Sequence, residues 1–144
     1  MYRVEFNKER KLAYKKWKQG DTELAYQISQ NLFWHDSHFD EDNISFFPQL
    51  AYTLDKIEEA IKDAPNFAPT AQHHSLKLAY LLREAGRLEE ARKLASIDPQ
   101  SNIFRMLCIE TDHFQEAADA YALADNQRKK NRLYQWLTHL DKIT

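Results

Sequence analysis

The sequence predicts an all-α chain: a right-handed stack of about four antiparallel helix hairpins with a C-terminal capping helix. Three observations carry that expectation. Apolar residues recur at three- and four-residue spacing along most of the chain, the period of a helix with one buried face. Only 2 glycines and 4 prolines leave little material for β-hairpins or flexible linkers. A turn marker followed five residues later by alanine occurs four times, as Gly20 with Ala25, Asp55 with Ala60, Gly86 with Ala91 and Asp112 with Ala117.

The unit is plainest over residues 78–99. Leu78, Leu81, Leu82 and Ala85 share one helical face, and Gly86 supplies the left-handed residue that ends a helix. Leu88, Ala91, Leu94 and Ala95 then form the inner face of a second helix, with Glu89, Glu90, Arg92 and Lys93 outside. Asp98-Pro99 reads as a cap and first position that open the next helix. Extended to the whole chain, the pattern predicts hairpins over about 4–34, 44–64, 70–97 and 99–124, within one 144-residue domain. Residues 35–43 form a polar connection. Pro48 makes the third helix kink or start late, and Thr70 is the expected cap after the connector that holds Pro65 and Pro69.

The last helix is expected over about 126–142. It places Leu133, Trp136, Leu137 and Leu140 on one face, led in by Arg128, Lys129, Lys130 and Arg132. A cap over the last hairpin is the reading adopted, since an uncapped array leaves an apolar face wet. A basic helix lying on a membrane surface is the other.

Cys108, the one cysteine, falls in the apolar pattern of Ile103, Phe104 and Leu107 and reads as a small buried hydrophobe. No apolar leader segment opens the chain, and no apolar run approaches the roughly 20 residues a bilayer requires. The expected compartment is the cytoplasm, without membrane contact. Charge is unevenly placed: residues 1–18 carry seven basic groups against Glu5 and Glu9, whereas 21–63 carry ten acids against Lys56 and Lys62. The net charge of −2 speaks against nucleic acid as a partner.

The segments Gly20-Asp21, Gly86-Arg87-Leu88-Glu89-Glu90-Ala91 and His113-Phe114-Gln115-Glu116-Ala117-Ala118, with Tyr121 and Ala124 beyond, resemble the tetratricopeptide repeats. So do the residues upstream of the turns, Leu12-Ala13, Leu78-Ala79 and Phe104. The likeness is strongest over 75–99 and weakest over 44–64. The markers are 35, 31 and 26 residues apart, shortening along the chain, and Asp55 and Asp112 replace turn glycines. Lys16 and Arg105 stand where small or apolar residues would pack. The resemblance implies a protein-interaction module, with the first helix of each hairpin lining a concave wall.

On that wall, residues three, six, nine and ten before each marker form a stripe. The candidate partner-binding residues are Arg10, Lys11, Tyr14 and Trp17, then Phe46, Gln49 and Tyr52 beside Ser45, then His73, Lys77, Tyr80 and Arg83. Aromatic and basic side chains of this kind suit an acidic peptide or a terminal carboxylate. Some tetratricopeptide modules hold carboxylates with Lys, Arg and Asn, and Arg10, His73 and Lys77 fall at comparable places. Tyr14 and Phe46 stand where asparagines would be. The alternative for Tyr14, Tyr52 and Tyr80 is packing between neighbouring helices.

Two further readings concern the acidic segment. Residues 36–63 would let a small inhibitor or immunity-type protein mask a basic enzyme. His35 and His38, with Asp40 or Asp42, are weak candidate metal ligands in a loop whose composition also suits plain solvation. No phosphate loop, nucleophile elbow or paired-cysteine motif occurs, so the chain reads as non-enzymatic and without a cofactor.

Overall fold

Four chain reversals of one kind divide the helices into hairpins. The computed structural model describes residues 3–36 and 44–143. Among these, eight α-helices follow one another: α1 (Arg3–Lys18), α2 (Thr22–His35), α3 (Phe46–Thr53), α4 (Ile57–Asp63), α5 (His74–Glu84), α6 (Leu88–Ala95), α7 (Asn102–Glu110) and α8 (Phe114–Ile143). A 3-10 turn, Ala64–Phe67, follows α4, and no strand occurs among the described residues.

Gly20, Asp55, Gly86 and Asp112 all take positive φ, at 85°, 59°, 82° and 62°. At each, the next residue's N–H reaches back five positions: Asp21 to Lys16, Lys56 to Ala51, Arg87 to Leu82 and His113 to Cys108, at 2.7–2.9 Å. The marker's own N–H bonds the carbonyl three residues back, at 3.0–3.2 Å. Together these bonds form a Schellman ending, which satisfies carbonyls that a helix end leaves bare. The following helix starts at once, and its alanine lands against the helix before it. Ala25, Ala60 and Ala91 are fully buried, and Ala117 nearly so. A methyl group there lets two backbones approach as a larger side chain would not.

Hairpins α1–α2, α5–α6 and α7–α8 are each paired, and α3–α4 is a shorter version. The stack is held by α2 on α3, α4 on α5 and α6 on α7, with α3, α5 and α7 also in series. One contiguous core runs through it, from Tyr26, Phe33 and Trp34 past Phe47, Leu81 and Leu107 to Ala117 and Ala120. Cys108 is buried in it. Arg105 also lies inward, with its guanidinium 4.8 Å from the Tyr121 ring centre and bonded to Asn102.

Charges repeat with the turns. The acid three residues after one marker meets the base one residue after the next: Glu23 with Lys56, Glu58 with Arg87 at 2.7 Å, and Glu89 with His113 at 3.9 Å. The third rung is an ion pair only with the imidazole protonated. Lys56 holds the Glu23 carboxyl below its usual range.

Element starts agree with the sequence reading at one proline and depart from it at two places. Helix α3 does start late, and Pro48 sits in its first turn, where no intrahelical donor is needed. Helix α5 begins at His74 instead of after Thr70. The 3-10 turn and the bonds Thr70 N–H to Phe67 and Ala71 N–H to Phe67 hold the chain in turns until His73, at φ 55°. Helix α7 begins at Asn102, not Pro99. Asp98 accepts from the Gln100 N–H at 3.2 Å, and Ser101 Oγ accepts from the Phe104 N–H at 3.3 Å and is the true cap.

The third difference is larger. The expected separate helix over 126–142 is the second half of α8, 30 residues without a break. No glycine or proline occurs between 113 and 143 to end it.

Two substitutions test this architecture. Ala91→Leu overpacks the α5–α6 contact and lowers stability by roughly 1–3 kcal/mol in urea unfolding. Gly86→Ala meets no atom within 4 Å of the new Cβ. Its loss of about 1 kcal/mol is therefore the backbone penalty of a left-handed alanine alone.

Candidate functional site

The basic first helix and the aromatic start of α3 meet at a cleft of about 710 Å³. Its lysines, Lys11, Lys15 and Lys18, come from consecutive turns of α1 and form one edge. The floor is apolar: Phe6 from α1, Leu32 and Phe33 from α2, and Ile44, Phe46 and Phe47 at the start of α3. Tyr14 stacks on Phe46 with centroids 4.8 Å apart and planes 17° from parallel, and Trp17 stands edge-on to Tyr14 at 6.5 Å. Both Tyr14 and Trp17 remain more than 40% exposed. Ser29 also lines the cleft; its buried hydroxyl has no hydrogen-bond partner among the described residues.

The structure brings together Arg10, Lys11, Tyr14 and Phe46 of the expected stripe, with Trp17 alongside. It does not bring together the rest. Gln49 and Tyr52 lie on the surface outside the cleft lining, and His73 is the exposed left-handed residue before α5. Arg83 Nε donates to Glu110 at 2.7 Å, joining α5 to α7.

Tyr80 and Lys77 require correction, since both are buried. Lys77, 0% exposed, donates from its ammonium to the Asp36 carbonyl at 2.8 Å and the Trp34 carbonyl at 3.2 Å. It ties α5 to the C-terminal end of α2 and offers nothing to a partner. Burial pulls its pKa down from 10.5 to about 8, against the opposing pull of Asp36. Around it, Trp34 is sandwiched between Phe67, at 5.5 Å and 9°, and His74, at 4.8 Å and 25°. The His74 Nε2 lies 2.8 Å from the Ala64 carbonyl.

Sequence reasoning missed Lys15, Lys18 and the contribution of α2. The spacing of Lys11, Lys15 and Lys18 was a usable signal, one step around the helix from the stripe chosen. Ser29, Leu32 and Phe33 carried none, because only the fold sets them opposite α1.

The acidic region divides. Glu58 is paired with Arg87, and Glu59, Asp63 and Glu23 surround the buried Tyr26. That burial, reinforced by those acids, pushes the Tyr26 hydroxyl up to about 12, and Lys56 lies 4.7 Å over its ring. Residues 37–43, including His38, Asp40 and Asp42, lie outside the described residues. His35 packs edge-on against Phe67 at 6.1 Å, and no cluster of three or more metal-ligating side chains occurs among the described residues.

Lys77 gives a pH signature. The unfolded chain holds this proton up to its ordinary 10.5 and the folded chain only to about 8, so between those values the unfolded state binds more protons. Stability from this residue is flat below about pH 7 and rises toward pH 10. Compared with Lys77→Met, the native chain should gain on the order of 1–3 kcal/mol across that window in parallel urea titrations. A constant difference contradicts the buried ammonium.

No protein-family model matches the chain, and no curated protein or solved structure matches it either.

Proposed function

We propose that the chain is a non-enzymatic interaction module of tetratricopeptide-like build, which captures an acidic segment of another protein in the cleft between α1 and α3. The observation that carries this reading is the pairing of a lysine edge with an aromatic floor. Lys11, Lys15 and Lys18 make no ion pair among the described residues, and Tyr14 on Phe46 presents a preformed apolar platform beside them.

A partner that fits has an aromatic or branched apolar anchor flanked by Asp or Glu. The anchor enters between Tyr14 and the α2 floor, and the flanking carboxylates meet the lysines at the edge. Rigid aromatic rings lose few rotamers on contact, which is why such platforms dominate binding energy. The lysines act as point charges that raise the encounter rate and orient the segment. Equivalent turns at Gly20, Asp55, Gly86 and Asp112 support the tetratricopeptide-like reading of the scaffold.

Selection from a displayed random-peptide library tests this proposal. Enriched sequences should carry acids beside an apolar anchor. Their affinity, by fluorescence anisotropy, should fall at least about tenfold in Lys11→Glu/Lys15→Glu and in Tyr14→Ala, with helical content unchanged. Enriched peptides without acids, or binding that both variants leave intact, defeat the proposal.

A further inference from the structure

Helix α8 carries two apolar faces on opposite sides. In its first turns Ala117 and Ala120 are buried on the side that meets α7. Farther along, Leu133 and Trp136 are 57% and 59% exposed. At about 100° per residue, the mean direction of Leu133 and Trp136 is roughly 160° around the axis from that of Ala117 and Ala120. Arg128 and Gln135, which continue the inner stripe past Ala124, are exposed as well. The 9 residues of α7 span about 14 Å and the 30 of α8 about 45 Å, so most of the second half runs beyond its partner helix. Leu133 and Trp136 therefore do not close the last hairpin, as a cap would.

Charge narrows what can cover that face. Residues 126–143 carry five basic side chains against Asp141; Arg132 is exposed one turn before Trp136, and Arg128 is exposed a further turn back, on the flank of the helix. Helix α1 is also basic, so joining the two ends of copies in series would set like charges together. Nucleic acid has no use for an exposed leucine face. A membrane surface with acidic lipids takes both parts at once: tryptophan and leucine enter the headgroup boundary, and arginines meet the lipid phosphates and carboxylates. No helix among the described residues is long and apolar enough to cross a membrane, so the contact is in the plane of the surface. We propose that the second half of α8 is an interfacial helix that docks this chain on anionic bilayers through Leu133 and Trp136, with Arg128 and Arg132 selecting the charge. It is independent of the α1–α3 cleft.

Vesicle co-sedimentation of the full chain tests it, with phosphatidylcholine alone and phosphatidylcholine carrying about 30% phosphatidylserine. The chain should sediment with the serine-lipid vesicles at least about tenfold better than with the neutral ones, lose that binding in roughly 0.5 M salt, and show blue-shifted tryptophan emission. Leu133→Glu/Trp136→Glu should abolish binding to both vesicles. Arg128→Glu/Arg132→Glu, which keeps the apolar pair, should remove the preference for phosphatidylserine. Both variants should retain the helical signal of the native chain. Failure to sediment with either vesicle overturns the proposal, as does undiminished binding by the Leu133/Trp136 variant. A concentration-dependent dimer that this variant dissolves, without vesicle binding, assigns the face to a second copy instead.

Discussion

The left-handed residue at each chain reversal is the constraint on which this fold rests. A helix that ends in a Schellman turn sends the chain back within two residues, and the geometry of that return fixes which residue of the next helix faces the last. That residue is alanine in all four cases, five positions on. The helices are short, most of them 7 to 16 residues, and none could bury its apolar face alone. Stability therefore has to come from hairpin on hairpin, which matches a core cluster that continues from α2 to α8 without interruption. The ion-pair ladder follows the same register. Each exposed rung contributes little, about 0–1 kcal/mol, so its role is to set neighbouring turns side by side and not to hold them. The register also accounts for the ends of the ladder. The first turn has Asp21 where later turns have a base, and there it caps α2 instead; the last has Gln115 where earlier turns have an acid.

A second constraint joins elements far apart in sequence. The last carbonyls of α2 have no helical partner and sit where solvent cannot reach them, so a donor must come from elsewhere. Lys77 provides it, while Trp34 stacks between Phe67 and His74. The connector is therefore more than a link: Ala64 is buried and the 3-10 turn delivers the half-buried Phe67 to the indole, while Pro65, Asn66 and Pro69 stay exposed. A buried ammonium is costly, and its depressed pKa is the measure of that cost.

What the sequence made legible was local, and what it hid was not. Turn conformation, the alanine notches and the order of hairpins depend on residues within five positions of one another, and these agree with the structure. Helix starts at His74 and Asn102 depended on competition between caps, in which Ser101 displaced Asp98 and the turns after Pro65 displaced Thr70. The unbroken α8 was legible in retrospect, from a stretch with nothing in it to stop a helix. Lys77 shows the limit of periodicity. Helical spacing fixes the direction in which a side chain leaves its axis, but not what stands in front of it. Tyr14 and Lys77 occupy equivalent stripes; the first faces an open cleft and the second faces the end of α2. The same limit hid half the cleft, since the floor residues Ser29, Leu32 and Phe33 belong to a helix the stripe did not include.

Engaged and unengaged charge separate along the chain. In the middle, Glu23, Glu58 and Glu89 have bases opposite them, Arg83 and Arg92 have Glu110 and Glu116, and the acids around Tyr26 face Lys56. These charges contribute to the register of the stack and are compensated within it. The lysines of α1 and the exposed arginines of α8 have no such role among the described residues, yet each lies beside apolar side chains the fold leaves uncovered: Tyr14 and Trp17 in one case, Leu133 and Trp136 in the other. Solubility alone would be served by cations anywhere on the surface. Cations set beside exposed aromatic rings suit a contact in which charge and apolar area are met together, the kind of contact proposed for the first helix and for the last.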